Sequence, residues 1–101
     1  MPISYRAAQN IIKRGDDDAL RKALNERLDP TLTNPNGWTL LMLAAVEGNV
    51  LLGRTLLEKG ASATPANSKG ETAQSIAASR GHQPFLDLLN EQKVLMTAPN
   101  K

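Results

Sequence analysis

The stretch GWTLLMLAAVEGN, residues 37–49, has a second copy 33 positions further along the chain. That copy reads GETAQSIAASRGH, residues 70–82, and it keeps the first glycine, the threonine, the paired alanines and the second glycine in the same order. A shift of the same length toward the N-terminus aligns Gly15 with Gly48 and Leu24 with Leu57. One matched glycine would mean little, but a frame of glycines, alanines and leucines that persists over three copies indicates a repeat protein.

The local signals within each copy predict two short helices. Gly48 suits the left-handed residue that closes a helix, and Asn49 suits the N-cap of the next helix. Because the paired alanines lack bulk, the first helices of neighbouring copies are expected to approach closely, with the leucines of the second helices covering the other side. Residues 34–37 and 67–70 have the composition of turns. The predicted helices cover about residues 4–13, 16–27, 40–47, 50–59, 73–80 and 83–92.

This frame resembles the ankyrin repeat, whose pattern runs Gly-x-Thr-Pro-Leu-His-x-Ala-Ala-x-x-Gly-His and continues into a leucine-rich helix that ends in Gly-Ala. The second copy follows it through residues 37–49 and ends in LLEKGA, residues 56–61. The Thr-Pro-Leu-His tetrapeptide is replaced by TLLM at residues 39–42 and by TAQS at residues 72–75. The family histidine, which ties the helix to the turn, is therefore absent, and we expect less rigid turns. The resemblance implies an all-α fold, an ankyrin-repeat solenoid of three stacked helix-turn-helix repeats with projecting turns and a concave face.

The repeat frame assigns residues 1–101 to a single ankyrin-repeat domain. Repeat 1 covers about residues 4–36, repeat 2 about 37–69 and repeat 3 about 70–92, with a C-terminal tail at 93–101. Repeat 1 lacks the threonine and the paired alanines, so it is expected to act as an N-terminal cap. Three apolar residues of the tail are expected to cover the exposed end of repeat 3, namely Val94, Leu95 and Met96.

The composition argues against several classes of function. His82 is the only histidine, and no serine or lysine stands beside a recognisable base, so no catalytic residue is predicted. The run Asp16-Asp17-Asp18 lacks the spacing of a calcium loop and suits the start of a helix, so no metal site and no cofactor is predicted. Twelve basic and ten acidic residues give a net charge of +2, which is too small for a nucleic-acid partner.

The same composition bears on location. The longest apolar run, residues 40–46, is far too short to cross a membrane. Because the chain has no cysteine, a reducing compartment is expected, either the cytoplasm or, in a eukaryote, also the nucleus.

The sequence therefore predicts a non-enzymatic protein–protein interaction module, an adaptor or inhibitor, that binds a protein partner through its concave face. The surface is expected to be formed by equivalent residues near the C-terminal end of the first helix of each copy, together with the tips of the turns. Trp38 is either the anchor of this surface or a structural residue packed on Pro35 and Tyr5. The charged residues of the surface either bind the partner or form an ordinary solvated face. The predicted partner-binding residues are Lys13, Arg14, Asn36, Trp38, Val46, Glu47, Lys69 and Arg80.

A second class of function stays open. In this alternative, the chain is a structural module that self-associates into homo-oligomers through its terminal repeat, whereas the leading hypothesis expects a monomer.

Overall fold

The computed structural model describes the backbone of residues 3–97 and the side chains of residues 3–91. The described part of the chain forms six α-helices joined by turns, and its one β-bridge pairs Thr33 with Thr39. The helices are α1 (Tyr5–Arg14), α2 (Asp17–Glu26), α3 (Leu40–Glu47), α4 (Val50–Glu58), α5 (Ala73–Ser79) and α6 (Gln83–Thr97).

The first five helices begin and end within a residue or so of the predicted positions, but α6 is longer than expected. It runs to Thr97 instead of ending near Gln92, so residues 93–97 of the predicted tail continue this helix. The physical reason is that no glycine or proline interrupts the chain between Gln92 and Thr97. The predicted cover by Val94, Leu95 and Met96 concerns side chains that lie outside the described residues.

Polar side chains cap the helix starts, as predicted for Asn49. Ser4, Asp16 and Asn49 accept hydrogen bonds from the backbone N–H three residues further on, at 3.1–3.2 Å. These bonds satisfy donors that have no partner inside the helix. At the other end of the inner helices, Gly15 and Gly48 adopt left-handed conformations with φ of 69° and 67°.

The missing family histidine has substitutes at both turns. The backbone N–H of Thr39 donates to Met42 Sδ at 3.4 Å, and that of Thr72 donates to Ser75 Oγ at 2.9 Å. The threonine hydroxyls in turn accept from the N–H groups of Met42 and Ser75, at 3.1 and 3.2 Å. Each pair forms a capping box. Other side chains therefore make the tie between helix and turn that the family histidine would make.

The helices stack in two layers. The inner layer is α1, α3 and α5, in which α3 contacts both of its neighbours, and the outer layer is α2, α4 and α6, in which α4 does the same. Ala44 and Ala45 are fully buried in the inner layer, so the alanine pair allows the predicted close approach. In the outer layer Gly53 makes room for Phe85, whose ring lies where a β-carbon on Gly53 would stand.

The turns that precede the inner helices repeat the same hydrogen bonds. Asn34 Oδ1 accepts from the N–H groups of Asn36 and Trp38, each at 2.9 Å. Asn67 does the same for Lys69 and Glu71, at 2.9 and 3.0 Å. The N–H of Ser68 also donates to the carbonyl of Asn36 at 2.9 Å, so that the two turns are tied to each other.

Candidate functional site

A groove with a volume of about 340 Å³ opens on the side of the inner helices. It is built from helix α1, the first turn, helix α3 and the residue that caps α5, so all three repeats contribute to it. Its walls are Gln9, Ile12, Lys13, Asn34, Asn36, Trp38, Leu43, Val46, Glu47 and Arg80.

Six of the eight residues predicted for partner binding line this groove. They are Lys13, Asn36, Trp38, Val46, Glu47 and Arg80. Arg14 does not belong to it. The Arg14 guanidinium lies 4.0 Å from the Asp16 carboxylate. Lys69 is exposed in the second turn and is not among the groove residues either.

Four groove residues escaped the sequence prediction, namely Gln9, Ile12, Asn34 and Leu43. Helical spacing could have found two of them, since Gln9 lies one turn before Lys13 and Leu43 lies three residues before Val46. Ile12 is fully buried and therefore has the appearance of a core residue.

Trp38 is both a structural residue and a groove residue. Its side chain is half-buried, packs against the hydrophobic core and also lines the groove. Two bonds to Asn34 fix its backbone. The Trp38 N–H donates to Asn34 Oδ1, and the Asn34 N–H donates to the Trp38 carbonyl at 3.2 Å. The backbone that carries the indole is therefore fixed within the turn.

The groove carries charges that are unpaired within the described part of the chain. Lys13 and Arg80 are exposed cations and Glu47 is an exposed anion, and none of the three has an ion-pair partner among residues 3–91. The side-chain amides of Gln9 and Asn36 likewise make no hydrogen bond to a described residue. The polar groups of the rim are therefore open to an outside ligand.

His82 joins the third repeat to the groove. Its Nε2 lies 3.0 Å from the carbonyl oxygen of Val46, an interaction that requires a proton on Nε2 because a carbonyl can only accept. The imidazole also packs on Gly48, where a β-carbon would stand only 2.6 Å from Nδ1. The one histidine of the chain therefore holds a groove wall in position.

On the opposite side, Asp17 ties the outer helices together. Its carboxylate accepts from the Thr55 hydroxyl at 2.6 Å and from Arg21 Nε at 2.7 Å. The hydrogen bond and charge of Asp17 raise the pKa of the Arg21 guanidinium. Asp16 caps α2 and Asp17 and Asp18 lie in its first turn, so the helix-start interpretation of the three aspartates is confirmed.

Within the described residues, no group of three or more metal-binding side chains comes together, and no helix combines the length and apolar character needed to span a bilayer.

Helix pairs that repeat every 33 residues, stack in register and share one open groove define a helical-repeat solenoid. The chain belongs to the ankyrin-repeat family, because the family's sequence pattern, "Ankyrin repeats (3 copies)", matches residues 5–99. The predicted family and the predicted all-α repeat fold are thereby confirmed. Ankyrin repeats are in general protein–protein interaction modules.

The chain is similar to short parts of much longer proteins. It is 36% identical over 90 residues to the ankyrin repeat and KH domain-containing protein mask of Drosophila melanogaster, an alignment that covers 87% of this chain and 2% of that protein. It is 49% identical over 55 residues to human ankyrin repeat domain-containing protein 17, covering 52% of this chain and 2% of the relative. The human NAD-capped RNA hydrolase NUDT12 is 39% identical over 61 residues, which are 60% of this chain and 13% of the hydrolase.

Proposed function

We propose that the chain is a non-enzymatic protein–protein interaction module, an adaptor or inhibitor, that binds a protein partner through the groove beside Trp38. The observation that carries this proposal is the groove itself, to which all three repeats contribute and in which six of the predicted residues meet. Membership of the ankyrin-repeat family supports the same conclusion at the level of the class.

The composition of the groove suits recognition. Tryptophan and arginine are the residues that most often dominate binding energy, and Trp38 and Arg80 line the same groove. Trp38 supplies apolar area from a side chain that already packs against the core, so that less conformational entropy is lost when a partner covers it. The charged rim mainly affects the rate and the orientation of association.

A non-catalytic role is supported by the position of the histidine. The His82 imidazole is engaged with the Val46 carbonyl and packs on Gly48, so it is committed to the structure.

We also propose that the chain acts in the cytoplasm, or in the nucleus as well if its source is eukaryotic, since it contains no cysteine that would call for an oxidising compartment.

The test compares proteins retained from an extract of the source cell by immobilised wild type, Trp38→Ala and Arg54→Ala. Arg54 is the matched control, because it is exposed on the outer helix α4 and is paired there with Glu91 at 3.7 Å. We expect Trp38→Ala to weaken capture of the specific partner by about 1 kcal/mol or more, roughly fivefold in affinity. Both variants should keep their helicity by circular dichroism. Equal capture by wild type and Trp38→Ala, with loss in Arg54→Ala, would move the interface to the outer helices.

Self-association through the terminal repeat is the second candidate function, and one observation favours it. Ala45 is fully buried, whereas its counterpart Ala78 in repeat 3 is exposed. Light scattering over a hundredfold range of concentration tests this candidate. A dimer that Ala78→Glu abolishes would support it, and a concentration-independent monomer would reject it.

A further inference from the structure

The charges and dimensions of the groove define the partner further. We infer that the groove binds a short, extended, acidic peptide segment in which a large apolar side chain covers Trp38 and neighbouring carboxylates pair with Lys13 and Arg80. This inference rests on the proposed function and adds the chemical class of the partner.

The size of the groove favours a segment over the face of a folded domain. Its volume of about 340 Å³ lies at the lower end of the roughly 300–1,000 Å³ of clefts that enclose small ligands. Trp38, Leu43 and Val46 are half-buried groove residues, and they leave an apolar floor for one large side chain. The groove is thus suited to a few side chains of a linear segment.

The charges favour an acidic segment. Lys13 stands on α1 and Arg80 at the end of α5, on either side of Glu47 at the end of α3. Arg14, the other cation at this end of α1, lies beside Asp16, whereas Lys13 and Arg80 have no ion-pair partner among residues 3–91. Two unpaired cations against one unpaired anion attract carboxylates, and two cations are too few for a phosphate backbone.

The helix spacing gives the length of the segment. Neighbouring packed helices are separated by roughly 8–10 Å, so α1 and α5 lie about two such steps apart. An extended peptide covers about 3.3 Å per residue, so a segment of about six residues spans the groove from Lys13 to Arg80.

Two amide side chains provide contacts for the backbone of such a segment. Gln9 and Asn36 line the groove, and their side-chain amides bond to no other residue among those described. A primary amide offers a donor and an acceptor together, which matches one peptide unit of an extended chain.

The experiment begins with a phage library of random 12-residue peptides, selected on the wild-type chain after depletion on Trp38→Ala. We expect the enriched peptides to carry a net negative charge, with a large apolar residue and aspartate or glutamate within about six positions of each other. A synthetic enriched peptide is then titrated against the wild type and four variants: Lys13→Gln, Arg80→Gln, Glu47→Gln and the control Arg54→Gln.

The signs of the charge effects decide the outcome. Lys13→Gln and Arg80→Gln should each weaken binding about threefold to tenfold, Glu47→Gln should strengthen it about twofold to fivefold, and Arg54→Gln should change it by less than about twofold. Enrichment of basic or uncharged peptides would overturn the inference, as would opposite signs for Arg80→Gln and Glu47→Gln. Selection of no peptide above the Trp38→Ala background would also overturn it, since the groove would then accept no linear segment.

These results are distinguishable from a failure of the proposed function. If the cell extract yields a partner whose capture depends on Trp38, the groove is a protein-binding site even where the acidic peptide class is wrong. If capture from the extract is unaffected by Trp38→Ala, the groove itself is not the interface.

Discussion

Repeats 2 and 3 share one sequence frame but differ in what surrounds it. Gly48, at the end of α3, packs against the His82 ring. At Gly81, the same position in repeat 3, no atom of the described residues, its chain neighbours aside, lies within 4 Å of the place where a β-carbon would stand. A β-carbon on Gly37 would stand 3.1 Å from the Asn67 Cα, whereas one on its counterpart Gly70 would meet no atom of another described residue beyond its chain neighbours within 4 Å. The difference lies in the neighbour, because repeat 2 is covered on both faces by other repeats.

The same motif therefore contributes different free energies of folding at different places in the stack. A repeat position contributes its local conformational preference wherever it occurs, and it contributes packing only where another repeat covers it. Matched substitutions in repeats 2 and 3 therefore separate the two contributions.

The largest loss of stability is expected for Gly48→Ala, and Gly81→Ala is its counterpart in repeat 3. Both glycines have positive φ, 67° and 73°, so alanine should cost each of them about 1–2 kcal/mol of backbone strain. Only at Gly48 would the new methyl group collide with His82 and disturb its bond to Val46, which adds about 1 kcal/mol or more. Urea unfolding followed by circular dichroism should show Gly48→Ala as the less stable variant. Equal losses would mean that the His82 ring moves aside without cost.

A somewhat smaller loss of stability is expected for Ala45→Leu, and Ala78→Leu is its counterpart in repeat 3. Ala45 is fully buried between inner helices, so the larger side chain should overpack the core and cost about 1–3 kcal/mol. Ala78 is exposed, and leucine there should change the stability by less than about 0.5 kcal/mol. The same unfolding measurement applies to both variants. If Ala78→Leu is as harmful as Ala45→Leu, repeat 3 is covered by something in solution, and light scattering will tell whether that cover is a second copy.

Most of the fold was predictable from the sequence because each signal is local and recurs. Gly48 predicted the end of α3 and Asn49 the start of α4 through their capping chemistry, and the alignment of Gly15 with Gly48 carried the same signal to repeat 1. The length of α6 was not predictable in this way. The repeat frame suggested an end near Gln92, whereas the helix continues through Thr97.

The candidate site was only partly predictable, for a different reason. Residues 33 apart stack in columns, and this relation identified Lys13 and Val46 as groove neighbours. The frame does not show local contacts such as that of Arg14 with Asp16, so Arg14 was included together with Glu47 and Arg80 of the same column. Nor does the frame distinguish two turns of the same sequence type. Asn36 lines the groove and Lys69 does not, because the groove lies beside the first turn.

The smallest effect is expected for the substitutes of the family histidine, in Met42→Leu compared with Ser75→Ala. Met42→Leu keeps the volume of a buried side chain but removes the sulfur that accepts from the N–H of Thr39, a residue that is only 6% exposed. A buried donor left without a partner should cost about 1 kcal/mol, a modest value because a thioether is a weak acceptor. Ser75→Ala removes the acceptor of the Thr72 N–H, but Ser75 is exposed, so water can take its place at a cost below about 0.5 kcal/mol. Urea midpoints followed by Trp38 fluorescence and circular dichroism should rank Met42→Leu below Ser75→Ala. The reverse order would show that the capping boxes contribute through local geometry alone, independently of their place in the stack.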